Sequence, residues 1–145
     1  LSGHADIIDI EFTKGRALTG ELMRLARENG VKTILSRHIF EAGFTKAELT
    51  GMLLQMRENG GDIIKLAVMA NDENDALEVI DAAREASEKS PKTPFVTIGM
   101  GDAGKATRRV KPFYGSSMTY AKGMRETAPG QMSVDELRLF QADKA

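Results

Sequence analysis

One amine sits where an amine is hard to accommodate. Lys65 lies in Ile63-Ile64-Lys65-Leu66-Ala67-Val68, so that five apolar residues surround it in the chain. If this run is a strand, alternate residues share a face: Ile64, Leu66 and Val68 line one side and Ile63, Lys65 and Ala67 the other. Two readings are open. Lys65 is a solvent-facing lysine on an edge strand, or desolvation favours its neutral form and equips it to attack a carbonyl. His38, in Ser36-Arg37-His38-Ile39-Phe40, follows another apolar run at its C-terminal end, where parallel α/β architectures gather functional groups. It is a loop histidine or a proton carrier, since an imidazole ordinarily titrates near neutrality. An amine plus an imidazole is the minimal set for imine chemistry. Arg108-Arg109 is either a solvated pair or supplies a fork for a substrate carboxylate. Thr127-Ala128-Pro129-Gly130-Gln131 has the composition of a loop, and as a lid it would bring a hydroxyl and an amide to a ligand.

The elements that position these residues alternate between short apolar runs and longer amphipathic segments, the pattern of βα repeats on a parallel sheet. Five strands are expected: Ile7 to Phe12, Lys32 to Ser36, Ile63 to Val68, Phe95 to Ile98 and Phe113 to Tyr120. In the first, Ile8, Ile10 and Phe12 share one face and Ile7, Asp9 and Glu11 the other, so one face is partly acidic. The helices between are read from Leu18, Leu22, Leu25 and Ala26, closed by Asn29-Gly30, and from Leu49, Met52, Leu53 and Met56, opened by a Thr45/Glu48 capping box. A third, from about Asn74 to Ala86, is expected to bury Leu77 and Ile80. Ala103 to Arg109 makes a short helix, and a last helix starts at Ser133, boxed with Glu136.

Composition removes several classes of function. With 20 Lys+Arg against 21 Asp+Glu there is no basic field for nucleic acid. No run approaches the roughly 18 apolar residues of a membrane span, and Leu1-Ser2-Gly3-His4 has neither a basic nor an apolar leader region, so a cytoplasmic protein is expected. The absence of cysteine excludes disulfides, thiolate metal sites and cysteine nucleophiles, and two histidines are too few for a histidine-rich metal site. No metal or other cofactor is expected.

Four ordered segments, Ser36 to Phe40, Ile64 to Met69, Tyr114 to Tyr120 and Ala128 to Ser133, resemble the type I 3-dehydroquinate dehydratases. The resemblance covers essentially the whole chain and implies a partial (β/α)8 barrel: a single incomplete domain over residues 1–145 that matches the last five βα units and lacks the first three. It further implies a lyase that dehydrates 3-dehydroquinate to 3-dehydroshikimate, with Lys65 forming a Schiff base and His38 acting as general base and acid. Arg108 resembles the carboxylate-binding arginine, Gln131 and Thr127 the lid residues facing the substrate, Met100 an apolar position of the pocket wall and Glu11 the acidic residue of the family's fourth strand. Ile39 departs from the pattern, since an acidic residue usually follows the histidine. With five strands the barrel cannot close, so a homo-oligomer is expected to cover the open edges. The alternatives are a truncated non-catalytic or regulatory relative that keeps a cleft, and a Schiff-base enzyme acting on another small keto acid.

Overall fold

The computed structural model describes residues 3–12, 16–110, 114–125 and 127–142. Four parallel strands, β1 (Ile7–Glu11), β2 (Lys32–Ile39), β3 (Ile63–Met69) and β4 (Phe95–Met100), form one sheet in the order β1-β2-β3-β4. Helices α1 (Arg16–Glu28), α2 (Lys46–Glu58) and α3 (Glu73–Lys89) connect them, a 3-10 helix spans Ala103–Arg108, and α4 covers Val134–Ala142. The register aligns Asp9 with Ile34, Ser36 with Lys65 and Ala67 with Ile98.

The three connecting helices pack on one face. Ile10, Leu35, Ile39, Ile64, Leu66, Val68 and Phe95 from the strands join Met23, Leu49, Leu53, Met56, Val79, Ala82 and Ala86 from the helices in a continuous core. On the opposite face Ala67, Val96, Ile98 and Met100 make a smaller cluster with Ile63, Met69, Met118 and Tyr120 against it. The capping box of α2 is present in both directions: Glu48 N–H donates to Thr45 Oγ1, and Thr45 N–H donates to Glu48 at 2.9 Å. Ser133 and Glu136 open α4 in the same way.

Several expectations need correction. The fifth strand is absent from the described residues: Phe113 lies outside them, and residues 114–120 run beside β4 without a ladder. Gly115 there adopts φ +68, and a Cβ on it would lie 2.6 Å from the Ala83 and Arg84 backbone, so the chain turns against α3 instead of extending. The segment is held to β4 by Ser117 N–H to Phe95 O (2.7 Å) and Thr97 N–H to Ser116 Oγ (3.2 Å). Strand β2 runs three residues beyond the expected end, so His38 lies within it and not after it. In α3 Leu77 is exposed; Ala76, Val79, Ile80, Ala82, Ala83 and Ala86 face the core, because small side chains allow a helix to approach a sheet closely. In α1 the buried stripe is Thr19, Met23 and Ala26, while Leu18, Leu22 and Leu25 point outward, Leu18 at 64% exposure. That leucine stripe accompanies β1, which pairs only with β2 among the described residues.

Candidate active site

Strand alternation aims Asp9 and Glu11 of β1, Ser36 and His38 of β2, Lys65 and Ala67 of β3, and Ile98 and Met100 of β4 to the face that the connecting helices do not cover. Because β3 pairs on both sides, Lys65 stands on a central strand, and the edge-strand reading of it fails. Its side chain is only 12% exposed. Its Nζ donates to Asp9 Oδ2 at 2.8 Å and lies 5.1 Å from the centre of the Tyr120 ring. His38 is held twice by Glu11: its backbone N–H donates to Oε1 at 3.0 Å, and its Nδ1 is 2.7 Å from Oε2. An ionised carboxylate can only accept, so Nδ1 carries the hydrogen and Nε2 is left as the basic nitrogen of the neutral ring. Ser36, buried between the two acids, donates from Oγ to Asp9 Oδ1 and lies 3.2 Å from Glu11 Oε2.

The other wall comes from the segments after β4. Arg108 is 1% exposed, and its Nη2 donates to Pro129 O at 3.2 Å and its Nη1 to Tyr120 O at 3.5 Å. Its neighbour Arg109 takes a different course, with its guanidinium 4.2 Å from the Phe140 ring centre. The 3-10 helix that presents Arg108 lies directly on β4. A Cβ on Gly104 would meet Gly99 O at 2.1 Å, and Gly99 N–H donates to Thr107 Oγ1 at 2.8 Å. The loop carrying Thr127 and Gln131 is tied down in turn. Gly101 N–H donates to Pro129 O, Gly130 has φ +74, and a Cβ there would reach Gly101 O at 2.3 Å. Within the loop, the Thr127 N–H and Oγ1 both donate to Gln131 Oε1, at 2.8 and 3.0 Å. At its foot Lys105 donates to Asp102 at 2.8 Å and holds that carboxyl below the usual range.

A cleft of about 160 Å³ results, and His38, Lys65, Met100, Arg108, Thr127 and Gln131 are all on its wall. It is smaller than the roughly 300–1,000 Å³ of drug-sized sites and suits a small polar ligand. Wider clefts lie elsewhere, one of about 280 Å³ at the N-terminal ends of the strands beside Arg27, Lys32 and Asp62. That one contains neither an imidazole nor a desolvated amine. The smaller cleft brings together an amine of low exposure, an imidazole and a buried guanidinium on three different elements.

The family model described as type I 3-dehydroquinase matches residues 1–141. The chain belongs to the type I 3-dehydroquinase family. It is 38% identical over 133 residues to the 3-dehydroquinate dehydratase of Alkaliphilus oremlandii, covering 92% of this chain and 52% of that protein. The corresponding protein of Syntrophotalea carbinolica is 34% identical over 137 residues, 94% of this chain and 54% of its own length. Among solved structures, 3-dehydroquinate dehydratase from Geobacillus kaustophilus superposes with a TM-score of 0.88 at 33% identity, over 97% of this chain and 54% of that one. The type I enzyme from Clostridium difficile, solved with covalent modified comenic acid, gives 0.88 at 32% over 97% and 55%. The chain thus spans about half the length of the 3-dehydroquinases it matches, with a parallel α/β sheet similar to theirs.

Of the residues expected to act in a 3-dehydroquinase site, six meet at the cleft. Glu11 stands behind His38 and not on the cleft wall. Ile39 is buried in the helix-side core, since adjacent strand residues face opposite ways; the carboxylate that meets His38 comes from β1. Asp9, Ser36 and Tyr120 were not expected. Asp9 shares its strand face with Glu11, and Ser36 shares one with His38, so both carry a period-2 signal, whereas nothing local in the sequence marks Tyr120.

Proposed function

We propose that this chain carries out, weakly, the dehydration of 3-dehydroquinate to 3-dehydroshikimate. The observation that carries the reading is the convergence of Lys65, His38 and Arg108 on one small cleft. Lys65 Nζ adds to the ketone carbon, and loss of the carbonyl oxygen as water leaves an imine. His38 Nε2 takes a proton alpha to it, and the electron pair moves into the imine to give an enamine. The enamine expels the neighbouring hydroxyl, which leaves as water with the proton returned by His38, and hydrolysis frees Lys65. Arg108 pairs with the substrate carboxylate, Thr127 and Gln131 close over its hydroxyls, Met100 forms the apolar wall and Glu11 orients the imidazole. The route uses no metal or cofactor. The covalent modification in the Clostridium difficile structure favours covalent chemistry here as well.

On this reading residues 1–145 form one incomplete (β/α)8 barrel domain, supported by the sequential strand order and the helices on one face. The outward leucines of α1 favour a homo-oligomer that covers them; a monomer by sedimentation at micromolar concentration would contradict it. A cytoplasmic location accords with the absence, among the described residues, of any helix long and apolar enough to cross a membrane.

The test is intact-mass analysis after mixing with 3-dehydroquinate and sodium borohydride, with Lys65→Ala as control. A reduced adduct that needs Lys65 is expected. Ile39, where the family usually carries an acidic residue after the histidine, favours a second reading, a relative that binds a ligand without turning it over. Folded protein that forms no adduct at high substrate concentration would leave that reading standing.

A further inference from the structure

The last helix grips the chain where it leaves the 3-10 helix. Val110 N–H donates to Gln141 Oε1 at 3.0 Å, and Gln141 Nε2 donates to Arg108 O at 2.7 Å. A backbone N–H can only donate and a carbonyl can only accept, so the two bonds fix which way round the amide lies. Arg109, between those two peptide groups, is extended at φ -73 and ψ 126, and its guanidinium stands 4.2 Å from the ring centre of Phe140, the residue before Gln141. The grip thus takes the backbone on both sides of Arg109 and the side chain of Arg109 itself. We propose that Gln141 is a positioning residue for carboxylate recognition, because it sets the backbone from which Arg108 reaches the cleft. This rests on the reading of Arg108 as the carboxylate contact given above and adds what holds that arginine from outside the cleft.

A helix end leaves its last carbonyls without partners inside the helix, and here the chain turns from the 3-10 helix straight into an extended step. Gln141 serves that step as the peptide group of a neighbouring strand would, accepting on one side of Arg109 and donating on the other. Arg108 and Arg109 point opposite ways, the first to the cleft wall and the second onto Phe140. A twist of the backbone that moves one guanidinium therefore moves the other. On the cleft side, the Arg108 guanidinium donates to Pro129 O at 3.2 Å and Tyr120 O at 3.5 Å, both long for bonds from a charged donor. The bond from Gln141 to the Arg108 backbone is much shorter, so the tighter hold lies outside the cleft. No residue of α4 is buried, which leaves its register against residues 108–110 to these directional contacts. Recognition of a carboxylate by a guanidinium fork depends on placement, and an error of about 1 Å can cost about a hundredfold.

Gln141→Met keeps the length of the side chain and removes the amide that makes both bonds. The probe is 3-dehydroquinate added to Lys65→Met, which forms no imine, so that carboxylate binding is read apart from the chemistry. The Arg108 Nε–H resonance of ¹⁵N-labelled protein reports the contact, and Arg108→Lys assigns it. Adding Gln141→Met to Lys65→Met should raise the dissociation constant about tenfold, the size expected of a misplacement smaller than 1 Å. Gln141→Glu keeps an acceptor for Val110 N–H but sets an oxygen against Arg108 O, and it should weaken binding as well. Cyclohexanone, a ketone without a carboxylate, should be captured by borohydride at Lys65 equally well in the native chain and in Gln141→Met. An unchanged dissociation constant in the folded double variant overturns the proposal, and so does a matching loss of cyclohexanone capture, which would mean that the whole site had loosened. Failure of 3-dehydroquinate to perturb Arg108 in Lys65→Met overturns it too. Should the double variant with Gln141→Met not fold, Gln141→Glu in the same background carries the same criterion. Absence of any Lys65 adduct in the native chain refutes the lyase reading alone, and the dissociation constants still decide this inference.

Discussion

Removing the carboxylate beside Lys65 tests whether that amine is held as a charge in a place that resists charge. The pair is 2.8 Å long, with the lysine side chain 12% exposed and the aspartate 39%. Coulomb's law at that distance gives about 1.5 kcal/mol in water-like surroundings and about 6 kcal/mol at the effective dielectric of about 20 near a protein surface. Asp9 is wet enough that the lower part of this range applies, while Lys65 is too dry for the pair to count as an exposed one. Asp9→Asn, which keeps an oxygen to accept from Ser36 and Lys65, should therefore cost about 2 kcal/mol, between the values for exposed and for broken buried pairs. Lys65→Met removes the ammonium and leaves apolar volume among Ala67, Ile98 and Met100, so the double variant should lie within about 1 kcal/mol of the native chain. Urea titrations at pH 7 of the native chain and the three variants measure this, provided the slopes agree. If Asp9→Asn is neutral, or if the two single losses simply add, Lys65 is a well-solvated surface lysine and the argument for its special setting fails.

Two further predictions concern the lid and the far end of the strands. Gly130→Ala puts a Cβ 2.3 Å from Gly101 O at a φ of +74, and should cost about 1–3 kcal/mol in thermal melts and displace Thr127 and Gln131, lowering borohydride trapping. Gly123→Ala, with nothing within 4 Å, should leave both unchanged; equal effects from the two would mean that the lid is not held as described. At Asp62, burial raises the carboxyl's proton affinity, but donors from Lys32 and from the Thr33 N–H and hydroxyl outweigh it and hold the group below its ordinary value. A depressed acid stabilises the fold above the unfolded value of about 3.9 and loses that contribution as pH falls through the folded one. The difference in melting temperature between the native chain and Asp62→Asn should accordingly be present at pH 7 and close below about pH 4. A gap that persists unchanged at pH 2 would contradict the assignment.

Much of the frame was legible because its signals are local. The Thr45/Glu48 and Ser133/Glu136 boxes lie three residues apart and satisfy donors within one turn, so a single stretch of sequence holds the whole argument. Apolar runs located four strands, with ends displaced by up to three residues. Periodicity failed where two faces of a helix look alike. In α1 the leucines outranked Thr19 and Met23, which pack beside the expected Ala26, and in α3 Leu77 outranked the alanines, because hydrophobicity does not reveal which face can come close to a sheet. Residues 114–120 have strand-like composition, but Gly115 turns them against α3.

The sequence by itself determined that an amine, an imidazole, an arginine and a loop with Thr127 and Gln131 exist on consecutive βα units, since residue type and strand alternation are properties of the chain. Resemblance then gathered them into one expected site. Only the tertiary structure decided what each of them touches. Lys65 meets Asp9 across 56 residues of sequence, and His38 meets Glu11 across 27. Those partners follow from strand order and register, which no local pattern encodes. The same holds for Ser36: a serine in an apolar strand is unremarkable until β1 and β2 align and bring two carboxylates to its single hydrogen.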